Sequence, residues 1–196
     1  MKYKNIIDKE GIKIFKQLLR DGISGYYNDL YNDHDCIHHV IVSGKGEVYL
    51  FTDNPKYIGN EMECSCFKIE KKEYDYLSTS PYLSCRRRIN GESISIPFKW
   101  NNMNVVSKLN NIYIYRDRAR WNYKSHYYDI IADVAIRLLG DNENLLFILR
   151  DISGFVSIYR NYTESEDSII NRYWGKKHWG LQTDNLEYRE RSIISL

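Results

Sequence analysis

Apolar residues in this chain come in short alternating segments punctuated by turn signals, and that rhythm restricts the fold more than any other feature. Gly44-Lys45-Gly46 separates the segments 37–43 and 47–52, a gap of hairpin length. Asn90-Gly91 is the strongest local turn signal, since both residues tolerate the positive φ angles of a type I′ turn, and 93–98 leads away from it as a strand. Residues 111–115 alternate Ile and Tyr, as a half-buried strand does. Residues 145–150 and 155–160 bracket Asp151-Ile152-Ser153-Gly154 as a further hairpin, and 67–69 is a weaker strand signal.

Three segments carry a helical pattern instead. Ile7, Gly11, Ile14, Phe15, Leu18 and Leu19 fall near one face, with Gly22 placed as a C-cap. Over 129–139, Ile130, Ile131, Val134, Ala135 and Leu138 share a face, Gly140 follows, and Asp133 stands one turn before Arg137 as an i,i+4 ion pair. Thr163 and Glu166 have capping-box spacing, opening a short helix to about Tyr173. Helix, hairpins, helix, hairpin, helix predicts an α+β fold. Its expected form is a single domain over 1–196, with a largely antiparallel sheet built from hairpins and about three helices packed on it. Alternating βαβ units are absent, which argues against a doubly wound nucleotide-binding fold.

The 196 residues suffice for a sizeable core, and an apolar fraction of 43% with only 3 Pro excludes a disordered chain. The longest apolar run, Leu145 to Leu149, is far too short to span a bilayer. Ile6 and Ile7 run directly into Asp8, Lys9 and Glu10, which leaves no signal-peptide apolar region. The expectation is a cytoplasmic protein that does not engage membranes. Abundant Ile, Tyr, Asn and Lys beside scarce Ala point to an AT-rich gene, as in a low-GC bacterium, a phage or a large DNA virus.

The formal net charge of +2 implies no partner, but its distribution is uneven. Basic residues dominate from Arg86 to Lys124, acidic ones from Asp141 to Asn171. Such polarisation either presents a basic face to an anion or draws two parts of the chain together. Within the basic half, Arg116, Arg118, Arg120, Trp121, Tyr123, Lys124, His126 and Tyr127 interleave cations, aromatics and a titratable ring. Arg and Lys neutralise phosphates while aromatic faces stack on bases, so this stretch predicts binding of RNA, DNA or a nucleotide. Trp174, Lys176, Lys177 and Trp179 repeat the theme near the end of the chain. The structural alternative is that the arginines pair with the acidic stretch while the aromatics pack the core.

Two rival functions use the same residues. A metal-independent ribonuclease or phosphodiesterase would use His126 as acid or base, Arg120 as charge stabiliser and Tyr127 as assistant. A protein-binding immunity or anti-defence factor would instead present Trp174 and Trp179 to a protein partner, without catalysis. His34, Cys36, His38, His39, Cys64, Cys66 and Cys85 are of zinc-ligating type, but their spacing is not that of a zinc knuckle, so no metal or other cofactor is expected.

Overall fold

The computed structural model describes residues 1–28, 35–36, 38–54, 56–58, 62–64, 66–76, 84–89, 92–97, 99–123, 125–149, 156–174 and 186–196. Side chains are described for 1–26, 39–54, 66–76, 106–122, 125–149, 156–174 and 187–196. In chain order the elements are β1 (Lys2–Asn5), α1 (Lys9–Asp21), β2 (Ile23–Asn28), β3 (Asp35–Cys36), β4 (His38–Ser43), β5 (Val48–Asp53), β6 (Lys56–Ile58), β7 (Met62–Cys64) and β8 (Phe67–Lys72). There follow β9 (Ser84–Ile89), β10 (Glu92–Pro97), β11 (Lys99–Ser107), β12 (Leu109–Tyr123), β13 (His126–Gly140), β14 (Asn144–Leu149), β15 (Val156–Arg160), α2 (Glu166–Trp174) and β16 (Leu186–Ser195).

Two sheets dominate. The larger has seven strands in the order β16-β12-β13-β14-β15-β3, with β1 added parallel to the first half of β13. The second has five strands in the order β11-β2-β4-β5-β8. Every pairing except that of β1 is antiparallel, as a run of hairpins requires. The α+β class, the hairpin at 44–46 and the antiparallel pairing of β14 with β15 follow the sequence pattern, while positions 151–154 lie outside the described residues. Ile89 pairs with Glu92, flanking positions 90 and 91, which lie outside the described residues. The side chains of Arg86, Arg87 and Arg88 in β9 lie outside them too.

Helix α1 forms where its apolar stripe predicts. Asp8 caps it by accepting the Gly11 N–H at 2.8 Å, and Ile14, Phe15 and Leu18 are buried. Gly11 is a close-approach residue: a Cβ there would sit 2.6 Å from Ile7 Cγ2. Gly22 ends the helix at φ 69°, ψ −170°, a conformation essentially restricted to glycine, and its N–H donates to the Leu18 carbonyl at 2.8 Å. Phe15 and Leu18 join Ile23, Ile41 and Phe51 of the five-stranded sheet and Ile112, Ile136 and Phe147 of the seven-stranded sheet in one core. Phe51 stacks on Phe147 with centroids 5.0 Å apart.

The segment 129–139 departs from expectation. It is not a helix but the middle of β13, so the described residues hold two helices rather than three. β13 is paired along one edge by β12 and along the other by β1 and then β14. From Tyr128 to Leu138 only Ile131 and Arg137 escape burial, so no period-two alternation survives. A bulge compounds this: Tyr115 pairs with Ala135 and Arg116 with Asp133, leaving Val134 as the extra residue. The phase therefore flips mid-strand, and the apolar positions imitate a helical repeat. The expected Asp133–Arg137 pair falls with the helix, because Asp133 binds Arg116 and Arg137 binds Glu166.

Helix α2 lies where expected, but its N-cap is Ser165 rather than Thr163. The Ser165 Oγ accepts the Ser168 N–H at 3.2 Å. No helix among the described residues is long and apolar enough to cross a membrane.

Candidate functional site

The basic-aromatic stretch folds into the β12–β13 hairpin, whose closing pair is Tyr123 and His126. Alternation along β12 sends Arg116, Arg118 and Arg120 to one face and Asp117, Ala119 and Trp121 to the other. On β13 below the bulge, Tyr127, Asp129, Ile131 and Asp133 share the arginine face.

Two carboxylates hold the arginines. Asp133, fully buried, accepts from Arg116 Nε at 2.6 Å, Arg116 Nη2 at 3.0 Å and the Ile7 N–H at 2.8 Å. Asp129 accepts Arg118 bidentately at 2.8 and 2.7 Å, and Arg120 Nε lies 3.4 Å away. The Arg118 hydrogen bonds, working against burial and helped by the charges of Arg118 and Arg120, hold the Asp129 carboxyl at about 2, below the ordinary aspartate range. A depressed pKa stabilises the fold above the unfolded value and loses that contribution as pH falls through the folded one. The stability owed to this pair should therefore be intact above about pH 4 and vanish towards pH 2. Acid titration of wild type beside Arg118→Gln checks this: the stability gap between them should close over that interval.

The opposite face is internal. Asp117, fully buried, accepts from Arg191 Nε and Nη2 at 2.6 and 2.8 Å and from Arg189 Nη2 at 3.3 Å. Arg191 reaches on to Asp167 and Asn171 of α2, so the helix covers this side of the sheet. Trp121 and Tyr128 are buried and stacked, with centroids 5.3 Å apart and planes at 14°. Trp174 is also buried, its indole N–H donating to the Leu149 carbonyl. Both tryptophans are core residues here.

His126 and Tyr127 are exposed but diverge. His126 shares the Tyr128 face, its ring 6.3 Å from that of Tyr128, whereas Tyr127 shares the face of Asp129 and Arg120. Strand alternation thus separates His126 from Arg120 instead of converging them. The Tyr123 side chain, Lys124, Lys176, Lys177 and Trp179 lie outside the described residues. Of the histidine–cysteine group, His39 and Cys66 alone have described side chains. Both are buried, and no cluster of three ligand-type side chains that could hold a metal occurs among the described residues. His39 Nε2 lies 2.9 Å from the Val156 carbonyl oxygen.

The arginine cluster gains residues that carry no local signal of a site. β1 pairs Lys2 with Asp129 and Lys4 with Ile131, which puts both exposed lysines on the arginine face. β16 places Tyr188 opposite Arg120, with the guanidinium 4.9 Å from the ring centroid. Tyr188 donates its hydroxyl proton to Glu190, and on the same side Glu187 accepts from Asn122. The alternation in Lys2-Tyr3-Lys4-Asn5 was the available signal for β1. No family model, no curated protein and no solved structure matches this chain.

Proposed function

We propose that the protein binds nucleic acid or a nucleotide at the hairpin end of the seven-stranded sheet, on the side that carries Arg118 and Arg120. One observation carries the reading: four cations from two strands, Lys2 and Lys4 of β1 and Arg118 and Arg120 of β12, flank Asp129 of β13, while Glu190 of β16 stands opposite Arg118. Arg118 and Arg120 stay about one-third exposed while their partner is buried. Lys2 and Lys4 form no ion pair among the described residues. The carboxylates Glu187 and Glu190 lie on the β16 side, already hydrogen-bonded to Asn122 and Tyr188. The excess positive charge is therefore concentrated where β1, β13 and β12 adjoin, within about 10 Å across the sheet. Phosphate is the anion that planar guanidinium groups and ammonium groups jointly recognise.

Binding is favoured over cleavage because the acid–base candidate His126 and the cation Arg120 sit on opposite faces of the hairpin. Lys2→Glu combined with Lys4→Glu tests the reading without touching a buried partner. Affinity for a labelled oligonucleotide at low salt should fall at least tenfold. The slope of log affinity against log salt should flatten by about 1.5, because two phosphates are no longer neutralised. An unchanged slope would refute the assignment.

A further inference from the structure

Building on the phosphate-binding reading, we infer that the ligand is a single-stranded nucleic acid lying along β12. Its phosphates sit over Arg118 and Arg120, and its unpaired bases stack on Tyr188 and Tyr127. Three features argue for a single strand over a duplex.

The first is spacing. Alternate residues on a strand repeat at about 6.8 Å, comparable to the interval between successive phosphates of an extended single strand. Arg118 and Arg120 are such a pair. The second is reach. The bidentate grip of Asp129 and the contact with Tyr188 hold these side chains down against the sheet, so they cannot extend into a groove. A ligand must bring its backbone to the surface.

The third is the aromatic flank. Tyr188 lies on β16 opposite Arg120, and Tyr127 lies on β13 two residues before Asp129, so the two rings stand on either side of Arg120. They are 38% and 43% exposed. Neither is needed to fill the core, and an aromatic face beside a cation is the arrangement on which an unpaired base stacks. A duplex conceals its base faces and offers these rings nothing. The Arg120–Tyr188 pair would present one continuous stacking surface, cation and ring together.

The test measures fluorescence anisotropy of the full chain with a labelled pyrimidine oligonucleotide of about ten nucleotides and with the duplex of equal length. The single strand should bind at least tenfold tighter. Tyr188→Ala should weaken single-strand binding about tenfold and leave duplex binding unaltered. Tyr188→Phe, which keeps the ring and loses the bond to Glu190, should retain wild-type affinity. Circular dichroism reports folding, and if Tyr188→Ala does not fold, Tyr127→Ala carries the same expectation. Equal affinity for both forms with a normal salt slope would overturn the single-strand inference and leave phosphate binding standing. Wild-type affinity in both alanine variants would likewise overturn it. Salt-independent or absent binding to either form would instead overturn the underlying reading.

Discussion

Asp117→Ala is expected to cost about 3–5 kcal/mol of stability, because it strands two largely buried guanidinium groups without their carboxylate. Arg191 is 10% exposed and Arg189 21%, and both converge on Asp117, which has no exposure at all. Burial works to lower the Arg191 pKa, and hydrogen bonding and charge from Asp117, then Asp167, more than offset it. Without Asp117, only the exposed Asp167 would remain as a carboxylate partner of Arg191. A chain of this size is stable by about 5–15 kcal/mol, so the loss consumes a large share. Urea denaturation followed by tryptophan fluorescence measures it. Adding Arg191→Met to Asp117→Ala should recover part of the loss, since it removes a stranded charge and keeps the volume. A cost below about 1 kcal/mol for Asp117→Ala would mean that the arginines swing out to water.

Phe147→Ala should be comparably severe, at about 3–5 kcal/mol. Phe147 is fully buried on β14, stacks on Phe51 at 25° between planes, and meets the His39 ring at 5.5 Å edge-on. It joins the seven-stranded sheet to the five-stranded one, so neither sheet closes the vacated space without giving up its own packing. A double-mutant cycle with Phe51→Ala should show coupling of about 0.5–1.5 kcal/mol from the ring pair itself. Additive losses would indicate that the rings contribute area and no mutual interaction.

What was readable in the residues was what is local. Asp8 to Gly22 holds cap, stripe and stop within one segment, and α1 appears there. The turn at 44–46 fixes its hairpin in the same way. β13 defeated the pattern because neighbours from three other strands decide its burial, and because Val134 breaks its phase. The 116–128 cluster was visible as a concentration of charge and rings, but its partners were not. Arg116 and Arg118 find Asp133 and Asp129 on the adjoining strand, whereas the structural alternative to phosphate binding paired them with the acidic stretch 141–171. That stretch does serve other arginines, with Glu143 on Arg160, Glu164 on Arg172, Glu166 on Arg137 and Asp167 on Arg191. Trp121 and Trp174 read as binding residues and are core, since composition cannot distinguish an aromatic that binds from one that packs. Lys2, Lys4 and Tyr188 reach the site only through strand pairings between distant segments, which no local spacing encodes.

The insertion of β1 beside β13 sets an order of events during synthesis. Ile7 and the carboxylate it binds are 126 residues apart, so the segment Lys2–Asn5 leaves the ribosome long before its docking strand exists. The β12–β13 hairpin, closed by a tight local turn, forms at small entropic cost as soon as both strands emerge. β1 must then return across most of the nascent chain, occupying the part of the β13 edge that β14 leaves vacant. Until it does, half of the central strand stays open to pairing with another molecule, Asp133 lacks one donor, and the two lysines are missing from the cationic face. The cationic cluster is thus completed late, after the protein has already assembled most of its sheet.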